Sequence, residues 1–104
     1  MASKAYWIFQ MDVTDAEAYK AYQADAGRVI SKYGARFVTR GGRCVVVEGA
    51  APSRTVIIEF PDYDTAMQCW NSPEYARSKA LRQGNASGSI IIVEGYDGPQ
   101  PGDH

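Results

Sequence analysis

An α+β protein, built on one antiparallel sheet with its helices on a single face, is the class this sequence predicts. Three observations carry that expectation. Strand-like and helix-like runs follow one another as β, α, β-hairpin, β, α, β. The runs "AYWIFQMDV", "RTVIIEF" and "SIIIVEGY" are largely apolar on both parities. A chain of 104 residues is long enough for one compact domain and too short for two.

Each element has its own justification. In residues 5–13, Trp7, Phe9, Met11 and Val13 form one face; Tyr6, Ile8, Gln10 and Asp12 form the other. That is the alternation of a strand, and its two apolar faces predict cover on both sides. Thr14, followed three residues later by Glu17, matches a capping box. Tyr19, Tyr22, Ala26, Val29, Ile30 and Tyr33 then recur at helical spacing. Gly27 inside that helix costs about 1 kcal/mol relative to Ala, and Gly34 is suited to end it in the left-handed conformation.

Residues 35–49, "ARFVTRGGRCVVVEG", read as two short strands joined at Gly41 and Gly42, a hairpin. Residues 54–60 form a longer strand, stopped by Pro61, which cannot donate to a ladder. Asp62 or Asp64 can cap a helix through "TAMQCW". Ser72, Pro73 and Glu74 open a second helical segment that runs to about Arg82. After the loop "QGNASGS" comes the last strand. Residues 1–98 make a single domain on this reading, and 99–104 a loose tail.

Four main strands split by two helical regions give a ferredoxin-like arrangement. Helices on one face leave the other apolar face wet in a single chain. Large exposed apolar patches mark interfaces, so a homodimer with two sheets facing each other is expected.

Composition excludes several classes. Eleven basic residues against twelve acidic ones, a net charge of -1, offer no basic face for nucleic acid or an anionic membrane. No apolar run approaches the roughly 20 residues of a membrane span. The start, "MASKAYWIF", has neither a long apolar core nor a small-residue cleavage site, so a cytoplasmic location is expected. Cys44 and Cys69 read as free thiols. His104 is the one histidine, and it is the last residue. No Cys/His metal site can be assembled, and no metal or cofactor is expected.

Several segments together, "AYWIFQMDVTDAEAYKAY", "RGG…VVEG", "VIIEFPDYDTAMQCWNSPEYARSKALR" and "IIIVEGYDG", resemble the domain-of-unknown-function 1330 family. The resemblance spans Tyr6 to about Gly98. It implies a ferredoxin-like protomer of the dimeric α+β barrel superfamily, which includes antibiotic-biosynthesis-type monooxygenases, muconolactone isomerases and haem-binding chlorite-dismutase-type proteins. No internal histidine is present to match the haem ligand of that last branch.

Six residues are candidates for a site. Glu59 stands in an apolar strand, where an isolated carboxylate would be costly without a cation. Arg40, Arg43, Arg54 and Arg82 are available to it. Glu59 is a partner that fixes strand or dimer register, a general base or acceptor, or a solvent-exposed residue near the strand end. Arg40, beside two glycines, can grip a carboxylate or enolate, or be a solvated turn residue. Tyr19 and Tyr22 pack in the core or line a cleft between helix and sheet. Trp70 and Tyr75 flank the break between the helical segments, as packing residues or as the lid of a pocket. Asp12 reads as a turn residue and Cys69 as an unreactive thiol. Two functions follow. One is a cofactor-independent enzyme acting on a small carbonyl or aromatic metabolite by proton transfer or oxygen insertion. The other is a non-catalytic small-molecule-binding or structural dimer.

Overall fold

The computed structural model describes residues 3–103; Met1, Ala2 and His104 lie outside the described residues. Seven elements follow in chain order: β1 (Ala5–Val13), α1 (Ala16–Ser31), β2 (Arg36–Arg40), β3 (Arg54–Phe60), α2 (Tyr63–Trp70), α3 (Pro73–Ala80) and β4 (Ala86–Glu94). The strands form one sheet in the order β2-β3-β1-β4, with every pair antiparallel. This is the ferredoxin-like topology that the element order predicts.

Helix boundaries follow from local chemistry. Asp15, not Thr14, caps α1: its carboxylate accepts from the Ala18 N–H at 3.1 Å. Either residue type can serve, and the charged acceptor meets the positive end of the helix. Gly34, with φ at 73°, follows the last turn of α1, as its lack of a Cβ permits. Asp62 caps α2 through the Thr65 N–H, and that bond holds its carboxyl below the usual range. Ser72 caps α3 through the Tyr75 N–H, with Pro73 in the first turn. α3 stops at Ala80, with Leu81 as its C-cap, a little short of the expected Arg82.

All three helices pack on one face of the sheet. Trp7, Phe9 and Met11 of β1 and Val56, Ile58 and Phe60 of β3 are buried there. They meet Tyr19, Tyr22, Ala26, Val29 and Ile30 from α1, and Ala66, Cys69 and Tyr75 from the other two helices. Trp7 is the hub. Its ring centroid lies 4.7 Å from Phe60, 4.9 Å from Tyr75 and 5.5 Å from Trp70, and its indole N–H donates to the Ala66 carbonyl at 3.1 Å. Polar pairs tie α1 to α3 at the surface: Lys32 meets Glu74 at 2.6 Å, and the buried Ser78 hydroxyl donates to Asp25.

One expected element is absent. The hairpin read into residues 35–49 yields β2 alone, and β2 pairs with β3. Residues 41–51 form an arm with no regular structure and full exposure; Val45 is 77% exposed and Val47 90%. Strand propensity needs a neighbour to supply hydrogen bonds and a layer to bury the side chains. β2 is the edge strand with its outer edge open, the arm does not pair with it, and nothing in the chain faces the valines.

Candidate functional site

The helix-facing side of the sheet is not sealed where α1 crosses β2 and β3. A groove remains between them, lined by Trp7, Phe9, Tyr19, Tyr22, Phe37, Arg40, Arg54, Val56 and Ile58 among others. Counted to its open mouth it holds about 430 Å³. Gly27 lines the groove from α1, and a Cβ built there would meet nothing within 4 Å. Its missing side chain keeps that wall open.

Sheet register decides which side chains reach the groove. Arg54, Val56, Ile58 and Phe60 share one parity of β3, and Met11, opposite Arg54, is on the same face. Arg54 thus enters an otherwise apolar row. β2 contributes through an irregularity. Phe37 pairs with Ile58 and Thr39 with Ile57, so Val38 is an extra residue, a β-bulge. Beyond it Arg40 pairs with Val56. Regular alternation would put Phe37 and Arg40 on opposite faces; the bulge brings both to the groove. Arg40 then lies over the Phe37 ring, 4.5 Å from its centroid.

The electrostatics are one-sided. Among the described residues, no Asp, Glu or His lines the groove, while Arg40 and Arg54 do. Neither arginine appears in an ion pair among the described residues. The Arg54 Nε is buried without a hydrogen-bond partner. Gly41 closes over this guanidinium at φ 71°, where a Cβ would stand 3.2 Å from Arg54 Nη1. Burial pushes the Tyr19 phenol above its ordinary range, opposed by the charges of Arg54 and Arg82. Tyr19 therefore stays a proton donor. Tyr22 sits deeper; its hydroxyl meets that of Tyr75 at 2.7 Å, and burial, reinforced by Tyr75, raises it strongly.

The other expected site residues are elsewhere. Glu59 occupies the outer face of the sheet, paired across the strands with Arg36 at 3.3 Å. It does not border the groove, and Arg36 was not among the arginines considered for it. Trp70 and Tyr75 pack on Trp7, behind the groove; Lys79 lies over the Trp70 ring at 4.9 Å. Asp12 lies within β1 and accepts from the distant Ser53 N–H at 2.8 Å, so it ties the segment before β3 to β1 and is not a turn residue. Burial, with the charge of Glu74, pushes the Cys69 thiol up to about 12, leaving it protonated and unreactive. Among the described residues, no group of acidic, Cys or His side chains could hold a metal. No described helix is long and apolar enough to cross a membrane. Arg54 is the residue that sequence reasoning undervalued. Its parity with Val56, Ile58 and Phe60 was the available signal: a cation on the buried face of a strand.

No curated protein matches the chain. Among solved structures, it is similar to the RPA0582 protein of unknown function from Rhodopseudomonas palustris, at 18% identity with a TM-score of 0.72, over 94% of this chain and 86% of that one. It is also similar to SnoaB, a cofactor-independent oxygenase from Streptomyces nogalater, at 11% identity with a TM-score of 0.64, over 93% of this chain and 97% of that one. At such identities the likeness is one of fold. The family is fixed by a different match, which runs over residues 4–96: the chain belongs to the family described as Domain of unknown function (DUF1330).

Proposed function

We propose that this protein is a homodimer that binds a small molecule, ring-shaped and largely apolar, in the groove between α1 and the sheet. The observation that carries this reading is a groove walled by aromatic and branched side chains with two unpaired arginines at its polar end. Ligand pockets combine apolar walls with a few polar groups in this way. Tyr19 and Tyr22 line the groove, Arg40 and Phe37 form its mouth, and Trp70 and Tyr75 support its back wall through Trp7. A neutral phenol and two guanidiniums orient a ligand; they do not abstract a proton. Binding is therefore favoured over catalysis.

Support for the dimer comes from the outer sheet face. Ile57, Ile8 and Ile91 stand side by side across three strands, and Glu59, Tyr6 and Val93 form the next row. Ile91 is 56% exposed and Val93 41%. A second copy would cover these rows, and the valine-rich arm could add to the same seam. Glu59 and Arg36 then serve as a register pair. A reducing, cytoplasmic setting fits the free thiols Cys44 and Cys69.

Ile8→Lys is expected to convert a dimer to a folded monomer in analytical ultracentrifugation, because it places an unpaired charge at the centre of the seam. A wild-type chain that sediments as a monomer at all concentrations would end the dimer reading. For the groove, a thermal-shift screen of small ring compounds is expected to yield ligands that raise the melting temperature; a flat response across the whole screen would count against it. Glu59→Gln separates binding from catalysis at Glu59. It is expected to lower the stability of the folded protomer by about 0.5–1 kcal/mol, since its bond to the exposed Arg36 lies within one chain, while ligand affinity holds. Loss of ligand affinity in an intact dimer would instead make Glu59 a site residue.

A further inference from the structure

We propose that the groove selects a monoanionic acid, a planar apolar ring bearing one ionised oxygen group, and that Arg54 is the residue that recognises the charge. The inference rests on the groove being a binding site and adds the ligand class and the recognising residue.

The argument begins with an unmet donor. Arg54 belongs to the buried face of β3, and its Nε has neither solvent nor a protein acceptor. A buried donor left without an acceptor is destabilising, and more so when it is charged. Such a group persists where an acceptor arrives from outside. Three further facts point to an anionic acceptor. No carboxylate lines the groove to neutralise the guanidinium. Arg40 lies on the same face, opposite Val56, and adds a second positive charge at the mouth. Arg82, with its guanidinium 5.3 Å from the Tyr22 ring centroid, adds a third positive charge beside a lining residue. The field along this wall has one sign, and the low dielectric of an apolar cleft strengthens it.

The same wall limits the rest of the ligand. Trp7, Phe9, Phe37, Val56 and Ile58 offer flat, apolar contact. These flat walls favour a planar body over a bulky or branched one. A flat ring entering edge-on from the mouth fits, with its acid group meeting the guanidinium. Arginine can present two parallel N–H groups to a carboxylate, which a lysine cannot. Arg54 is also held in place: Gly41 closes over its Nη1, and the positive φ at Gly41 excludes a side chain that would displace it.

The test compares cinnamate with its neutral amide, cinnamamide, by isothermal titration on the wild-type protein and on Arg54→Gln, Arg54→Lys and Arg40→Gln. In the wild type, cinnamate is expected to bind at least tenfold more tightly than the amide. Arg54→Gln should erase that preference, bringing the acid to the level of the amide. Arg54→Lys should restore only part of it, and Arg40→Gln should reduce it less than Arg54→Gln. The melting temperature and circular dichroism of each variant establish that it is folded; should Arg54→Gln not fold, the comparison of acid with amide and the Arg54→Lys result still decide. Equal binding of acid and amide to the wild type, or a preference that survives in Arg54→Gln, would overturn the inference and leave the groove as a neutral-ligand site. If neither compound binds while neutral rings raise the melting temperature, the anion inference alone falls. If nothing binds, the groove reading falls with it.

Discussion

Trp7→Ala is expected to lower stability by about 4 kcal/mol, the upper part of the range for removing a large buried aromatic. Trp7 is fully buried, and its ring touches Phe60, Tyr75 and Trp70 from β3, α3 and α2. Removing it empties the meeting point of three elements and also loses the bond from its N–H to the Ala66 carbonyl. A domain of this size has about 5–15 kcal/mol in total, so at least about a quarter of the margin would go. By the usual scaling, the midpoint of thermal unfolding would fall by roughly 15–30 °C. Urea unfolding should show a lower midpoint at unchanged slope. Trp7→Phe, which keeps an apolar ring but loses the N–H, should sit between the two. A Trp7→Ala loss under about 1 kcal/mol would mean that the indole is not the hub.

Two glycine-to-alanine substitutions should act in opposite directions. Gly88 of β4 lies opposite Met11 with φ at 149°. A Cβ there would stand 2.1 Å from the Gln10 carbonyl oxygen and 2.9 Å from the Met11 Cα. Both contacts are backbone, so no rotamer change relieves them. Gly88→Ala must push β4 away from β1 and is expected to cost about 3 kcal/mol. Gly27 sits within α1 and faces open space. Gly27→Ala should stabilise by up to about 1 kcal/mol through helix propensity. Denaturant midpoints decide both. A Gly88→Ala protein as stable as the wild type would show that the close β1–β4 approach is not required.

The fold was largely legible in the sequence. β1 and β3 have the expected bounds, Asp62 and Ser72 cap where their side chains allow, and the stripe from Tyr19 to Ile30 faces the sheet. The site was legible only in part. Tyr19, Tyr22 and Arg40 line the groove, whereas Glu59 drew attention as a carboxylate among apolar residues and stands on the opposite face. Strand parity separates Glu59 from Val56, Ile58 and Phe60, but parity does not say which face the helices take.

The sequence by itself determined what depends on neighbours a few residues away: the alternation of strands, the helical stripe, the caps, and the surplus of apolar sheet. Only the tertiary structure decided what depends on pairing between distant segments. The bulge at Val38 turns Phe37 and Arg40 toward the same groove, and it exists because β2 must register against β3. The valines of the arm stay in solvent because no second layer of the chain faces them, although the outer edge of β2 is open. Arg54 becomes a buried, unsatisfied donor only when α1 closes over its strand. Local periodicity is set by backbone geometry that repeats every two or 3.6 residues. Register, bulges and burial are set by which segments far apart in the chain compete for the same neighbour, and no short window of sequence contains that competition.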